Sequence, residues 1–199
     1  FHQQSAIVIM LNTQCSFEVF STNHVDNPQE KLVVTQADSS TRTIYELNAE
    51  PAALEYARLL NLEVAQLTPQ VFSLNPLAVK VGGKYYFRSI QKVNESDNSL
   101  TFYCAVDTGI VLTAIDLGDV FFKLNSTLKT LEQHFGHADV VLACDCFLRR
   151  LEIEHKELTN DALTLFRRHN IIGFNTYGEH INGVHLNQTF TGVYIGGPN

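Results

Sequence analysis

Two stretches of this chain carry side chains able to do chemistry. The first is Cys144-Asp145-Cys146, with Arg149 and Arg150 close behind it; the second holds Tyr177, Glu179, His180, His185 and Asn187. Thiols at the end of a strand can ligate zinc or answer a redox change, although a free cysteine is also among the most buried residue types. Two guanidinium groups can grip a carboxylate through paired hydrogen bonds; an ion pair of Arg149 or Arg150 with Glu152 or Glu154 is the plainer alternative. His185 and His180 are the strongest haem- or metal-ligand candidates of the closing segment, with Cys146 as a metal ligand beside His185, because neutral imidazole is the commonest protein ligand for such centres. A histidine that only makes hydrogen bonds is the competing reading. Glu179 suits recognition of an amine and Tyr177 the lip of a pocket, unless Gly178 between them simply takes positive φ in a tight turn. Asn187, Gln188 and Thr189 can donate to a ligand or only cap strand edges. Arg88 falls inside a strand-like run, YYFRSI, where a buried charge needs a carboxylate such as Glu46 or a ligand.

These groups need a scaffold that turns them toward one another. Val140 to Ala143 is a short, β-rich apolar run that reads as a strand buried on both faces. It would end at Cys144, leaving the Cys-Asp-Cys triplet on the rim where ligands collect. On a strand, Cys144 and Cys146 share a side and Asp145 turns away. The glycine-rich, aromatic closing segment reads as further strands beside the first, with His185 and Asn187 on one side.

Composition narrows the partners. With 14 basic against 21 acidic residues the net charge is −7, and no Lys/Arg cluster exists to track phosphates, so nucleic acid is an unsuitable partner. No apolar run approaches the roughly 20 residues of a membrane helix and no signal segment opens the chain, so a cytoplasmic protein without a membrane partner is expected. The opening at Phe1 suggests a segment of something longer. Four cysteines in 199 residues do not form a disulfide framework, and Cys144 and Cys146 alone are too few for structural zinc.

In chain order, Ser5–Leu11 reads as a buried strand and Phe17–Phe20 as an edge strand. A polar linker follows over Ser21–Glu30, which places a domain boundary between residues 1–30 and 31–199. Lys31–Thr35 and Arg42–Leu47 form a hairpin, Asn48–Pro51 starts a helix, and a shorter helix covers Thr68–Leu74. Strands are expected at Leu77–Val81, Tyr85–Val93, Leu100–Val106 and Ile110–Ile115, the first two joined by Gly82-Gly83. Helices are expected over Leu117–Phe135, closed by Gly136, and over about Leu158–Arg168. The fold class is α+β: a mixed, largely antiparallel β-sheet with flanking helices.

The phrases IYELNAEPAALEYARLL, VGGKYYFRSIQKV, LTFYCAVDTGIVLTAID, CDCFLRRLE and GFNTYGEHINGVHLNQTFTGVYIG resemble the C-terminal FIST domain, and more narrowly the nitric-oxide-sensing FIST proteins called NosP. The resemblance covers residues 31–196, with the first thirty similar to the tail of an N-terminal FIST domain. It implies a bacterial sensory module without catalysis. It also implies a small ligand, with amino acids proposed, and in the NosP group haem and a partner histidine kinase, diguanylate cyclase or phosphodiesterase. Two further readings come from the residues themselves: a redox or zinc switch at Cys144 and Cys146, and a structural role in which two chains meet as a homodimer along an exposed strand. Enzyme signatures are missing; there is no nucleophile elbow, phosphate loop or His-Glu-x-x-His, which leaves only a cysteine hydrolase using Cys144 or Cys146 with His185.

Overall fold

The computed structural model describes residues 5–198. The fold is α+β, built on two sheets and a hairpin. The larger sheet takes β2 (Val25–Asp38), β3 (Thr43–Leu47), the short β4 (Glu50–Pro51), β5 (Leu77–Val81), β6 (Lys84–Arg88), β7 (Ile90–Asn94), β8 (Ser99–Phe102) and β9 (Val111–Leu117). Its order is β6-β5-β9-β2-β3-β8-β7, with β4 attached to β3. The two edge strands, β6 and β7, are joined by the single residue Ser89, so the sheet must curl until its edges meet. Inside the curl lie α1 (Ala52–Leu60) and α2 (Pro69–Leu74), and Tyr56 and Phe72 meet there with ring centroids 6.0 Å apart.

The smaller sheet has the order β1-β14-β10-β11, from β1 (Cys15–Thr22), β10 (Ala138–Cys146), β11 (Ile171–Thr176) and β14 (Phe190–Pro198). β11 runs parallel to β10, whereas β14 is antiparallel to both β10 and β1. Helices α3 (Phe122–Phe135) and α5 (Thr159–Arg168) supply Leu124, Leu128, Leu131, Leu165 and Phe166 to the core on one side of this sheet. α4 (Phe147–His155) springs directly from β10, and the hairpin β12 (Glu179–Ile181) and β13 (Val184–Leu186) stands outside both sheets. No helix among the described residues is long and apolar enough to cross a membrane.

Several expectations shift. Ser5–Leu11 is no buried strand: it has no strand pairing, and Ile7 to Leu11 are 63–91% exposed. The polar stretch Ser21–Glu30 is no linker either, since β1 ends and β2 begins within it; Asp26 to Glu30 face outward from a bulged strand, while Thr22 and His24 are buried. The run Tyr85–Val93 is broken at Ser89, where the chain passes from one edge of the curled sheet to the other. Asn48 does not cap α1; Pro51 precedes it without a side-chain cap bond. Asp119 delays α3, its Oδ1 accepting the N–H groups of Phe121 and Phe122. α4 was not foreseen as a helix. β10 is not buried on both faces: Val141 and Ala143 are covered by helices, while Leu142, between them, is 36% exposed.

Candidate functional site

β10 is longer than the sequence suggested, so Cys144, Asp145 and Cys146 are its last three residues and α4 starts immediately after them. Strand alternation then splits the triplet. Cys144 and Cys146 turn one way and Asp145 the other, as expected. On the Asp145 side, α4 places Arg149 one turn further on, where its Nε donates to Asp145 Oδ1 at 2.7 Å. Arg149 is 1% exposed and its Nη1 also reaches His24 Nδ1 at 3.3 Å. A guanidinium only donates, so His24 Nδ1 accepts, and its Nε2 carries the proton it donates to Glu152 Oε2 at 2.6 Å. Lys156 Nζ donates to the other oxygen of Glu152 at 2.7 Å.

The result is a buried ionic network joining the end of β10, α4 and the turn between β1 and β2. Burial pushes the imidazole of His24 below its ordinary range, against the pull of Glu152. Burial works to raise Glu152, but the bonds from His24 and Lys156 outweigh it and hold the carboxyl low. Burial raises the carboxyl of Asp145, with Arg149 opposing it. Arg149 is therefore not a free clamp for a ligand carboxylate, because its fork is occupied within the protein. Arg150 points outward and pairs with Glu154 at 2.7 Å, the plain alternative foreseen for it.

On the cysteine side lies a different environment. Glu179, the first residue of β12, is 6% exposed, and no cation among the described residues pairs with its carboxylate. Two hydroxyls hold it instead: Thr176 donates to Oε1, and Thr189 to Oε2 at 2.5 Å. Burial pushes its carboxyl above the ordinary carboxylate range, with the two threonine bonds opposing. Burial and the neighbouring Glu179 also push the Cys146 thiol up to about 11, and raise that of Cys144. Neither thiol is poised as a nucleophile.

The rest of the hairpin is equally polar. His185 Nδ1 faces His180 Nε2 at 3.3 Å across the β12–β13 pair. Asn187 Nδ2 donates to Tyr177 O at 3.3 Å, and Gln188 Nε2 to Ser73 O of α2 at 2.7 Å. Among the described residues, His185 Nε2, Asn187 Oδ1, Gln188 Oε1 and the Ser89 hydroxyl are buried without a hydrogen-bond partner. Such atoms normally find a partner in the protein, in water or in a ligand. Gly178 is needed for space, not for positive φ: a Cβ there would stand 2.6 Å from His185 Cε1 and 3.2 Å from Asn187 Nδ2.

Arg88 ends β6 at the seam of the curled sheet. Its partner is not Glu46, whose Oε2 accepts from Thr35; Arg88 donates to the carbonyl of Phe87, and no carboxylate among the described residues pairs with it. Burial lowers the imidazole of His185, and the charges of His180 and Arg88 add to that. Over this region Tyr177, 69% exposed, stacks on Tyr103 at 6.0 Å and meets Phe147 at 5.7 Å.

The two predicted stretches thus meet, but their groups divide between two environments. Cys144, Cys146, Tyr177, Glu179, His185 and Asn187 gather about the hairpin, with Arg88 beside it at the seam. Asp145 and Arg149 belong to the ionic network, and Arg150 to the surface. Among the described residues, the surface is indented by clefts of 320–390 Å³ that have other linings than Cys146, Glu179 and His185, one of them touching Leu186 and Thr189. Asp145 borders one of about 370 Å³ with Phe166 and Phe190, on the helical side of the smaller sheet. Thr176, Ser89 and Tyr103 were missed. Each is an ordinary strand or turn residue, and only contact across chain-distant segments gives it a role.

A buried carboxylate and buried polar atoms without partners thus lie together where the hairpin meets the two sheets. A family model for the FIST C domain matches residues 52–182, well over half of the chain. The chain belongs to the FIST C domain family, a sensory family of signal transduction. No curated protein and no solved structure matches it. The matched span ends inside the hairpin, so Glu179 and His180 fall within it and His185, Asn187 and Thr189 beyond it.

Haem, implied by the NosP resemblance, needs an axial donor facing a wide apolar slot. His185 Nδ1 faces His180, Cys146 is 1% exposed, and a cleft of about 320 Å³ that reaches the hairpin at Leu186 is lined mainly by polar residues and by neither His185 nor Cys146, so the hairpin does not fit that group. Cys146 and His185 do not form a zinc centre either: among the described residues no three His, Cys, Asp or Glu side chains are grouped to hold a metal.

Proposed function

We propose that this domain senses a small amine of the amino-acid type and passes occupancy to a bacterial signalling partner, a histidine kinase or an enzyme that makes or degrades cyclic di-GMP. The observation that carries the reading is Glu179, a buried carboxylate held by two hydroxyls and no cation. An ammonium group arriving there supplies the missing charge. The same ligand's carboxylate has Arg88 as its cationic counterpart at the seam, and the orphaned atoms of Asn187, Gln188 and Ser89 take its remaining bonds. The Tyr177, Tyr103 and Phe147 rings close over the region and add cation–π attraction for an ammonium. Entry requires Tyr177 to swing aside, and a side chain that exposed moves freely.

Thermal unfolding with separate additions of amino acids, their decarboxylated amines and their deaminated acids tests this. A ligand at 100 times its Kd stabilises by about 2.7 kcal/mol, or roughly 5–11 °C for a domain of this size. The reading expects amino acids to raise the midpoint more than amines, with the deaminated acids inert. A response to the acids alone contradicts it.

A further inference from the structure

The smaller sheet has helices on one side only. On the other, strand register lines up apolar residues across all four strands: Val19 pairs with Val193, Val193 with Leu142, and Leu142 with Ile172. Phe17 and Phe174 occupy the outer strands, 57% and 70% exposed, and Ile172 is 59% exposed. None of these residues belongs to any of the four apolar clusters of the described residues. The rows are completed by Ile195, Val140, Ser21, Thr191 and Cys144, so no charged side chain lies in them, on a chain carrying −7 overall. A contiguous apolar surface of this kind is an interface.

The chain carries a second uncovered apolar feature beside it. Ile7-Val8-Ile9-Met10-Leu11, all at least 63% exposed, leads into β1, an edge strand of the same sheet. Its composition suits a strand, and it has no strand partner among the described residues. The flat face alone spans roughly 300 Å² from the spacing of four strands about 4.8 Å apart and five residues long. That falls short of the roughly 800 Å² per partner of a standard interface. The arm supplies the missing area, and it can do so only against a surface that is itself apolar and uncharged.

We infer that the occupant is a second copy of this chain: two small sheets stack face to face, about 10 Å apart, and each arm crosses to the other protomer. A two-fold pair uses both uncovered features at once and brings no like charges of the two anionic chains into opposition across the face. Because Cys144 lies on this face and its thiol is raised by burial and then by the nearby charge of Glu179, the contact abuts the hairpin described above.

Sedimentation velocity of the 199-residue chain from 1 to 200 µM tests the inference independently of any ligand. The expected result is a discrete dimer, with the dissociation constant raised at least tenfold by Ile172→Glu and by Ile9→Glu separately. Both side chains are exposed in the single chain, so unchanged circular dichroism and an unchanged unfolding midpoint at low concentration establish that the variants fold. A monomer across the whole range overturns the inference, as does a dimer indifferent to Ile172→Glu, or a mass that climbs without limit.

Discussion

Replacing Arg149 by Met should be the most damaging single change outside the apolar cores. The substitution keeps the length of the stem, yet it strips Asp145 of its 2.7 Å partner and His24 Nδ1 of its donor, in a place where Arg149 itself is 1% exposed. Removing one member of a buried charge pair typically costs about 3–5 kcal/mol, most of it the penalty of leaving the other charge unpaired. For a domain of this size each kcal/mol moves the melting temperature by roughly 2–4 °C, so a fall of about 6–20 °C is expected. Urea unfolding followed by circular dichroism measures it directly. Adding Asp145→Asn to Arg149→Met should recover a substantial part of the loss, since no buried carboxylate then remains without its counterion. Arg150→Met, at an exposed pair with Glu154, should stay within about 1 kcal/mol of the parent. A loss below 1 kcal/mol for Arg149→Met would refute the assignment of this arginine to the framework and return it to the list of ligand contacts.

Three further outcomes follow from the same geometry. His24 is held neutral in the folded state, so the unfolded chain takes up its proton first: stability should decline as pH falls below about 6.5, and His24→Gln should flatten that slope in unfolding titrations run at pH 5–8. Cys146, with its thiol pushed up to about 11, should react with iodoacetamide at pH 8 roughly a hundredfold more slowly than a cysteine in the unfolded chain, and a rapid native-state burst at Cys146 by mass spectrometry would revive the redox-switch reading. Gly178→Ala must push His185 aside, and overpacking of this kind costs about 1–3 kcal/mol; the His185 ring resonances should shift, and a silent substitution would mean the loop is looser than described.

Much of the fold was legible in local pattern. Gly82 and Gly83, both at positive φ, make the β5–β6 turn that their sequence announces, and Thr68 with Pro69 opens α2. What was illegible depended on partners far along the chain. His24 looked like linker because its neighbours are polar; it is buried only because α4 arrives 125 residues later with Arg149. Arg149 and Arg150 are adjacent and chemically identical, and only the direction of a helix face separates a buried centre from a solvent pair. The closing segment declared its polarity and Thr189 with it, but Thr176, which also holds Glu179, carries no signal of its own. The exposed apolar face was misread for a related reason: Val140 to Ala143 shows β-branched residues on both sides, and a strand covered on one side only by its own chain has the same sequence as one covered on both.

The proposal for function stands on Glu179 meeting an ammonium group, and proton-linked calorimetry reports that most directly. Burial raises this carboxyl, so the folded protein holds a share of its proton above the ordinary carboxylate range, and an incoming ammonium must displace it. Titrating an amino acid that stabilises the protein, at mildly acidic pH in two buffers of different ionisation enthalpy, should show proton release on binding, with both the release and the binding lost in Glu179→Gln. Binding of equal affinity in Glu179→Gln, with no proton exchanged in either protein, would contradict the account.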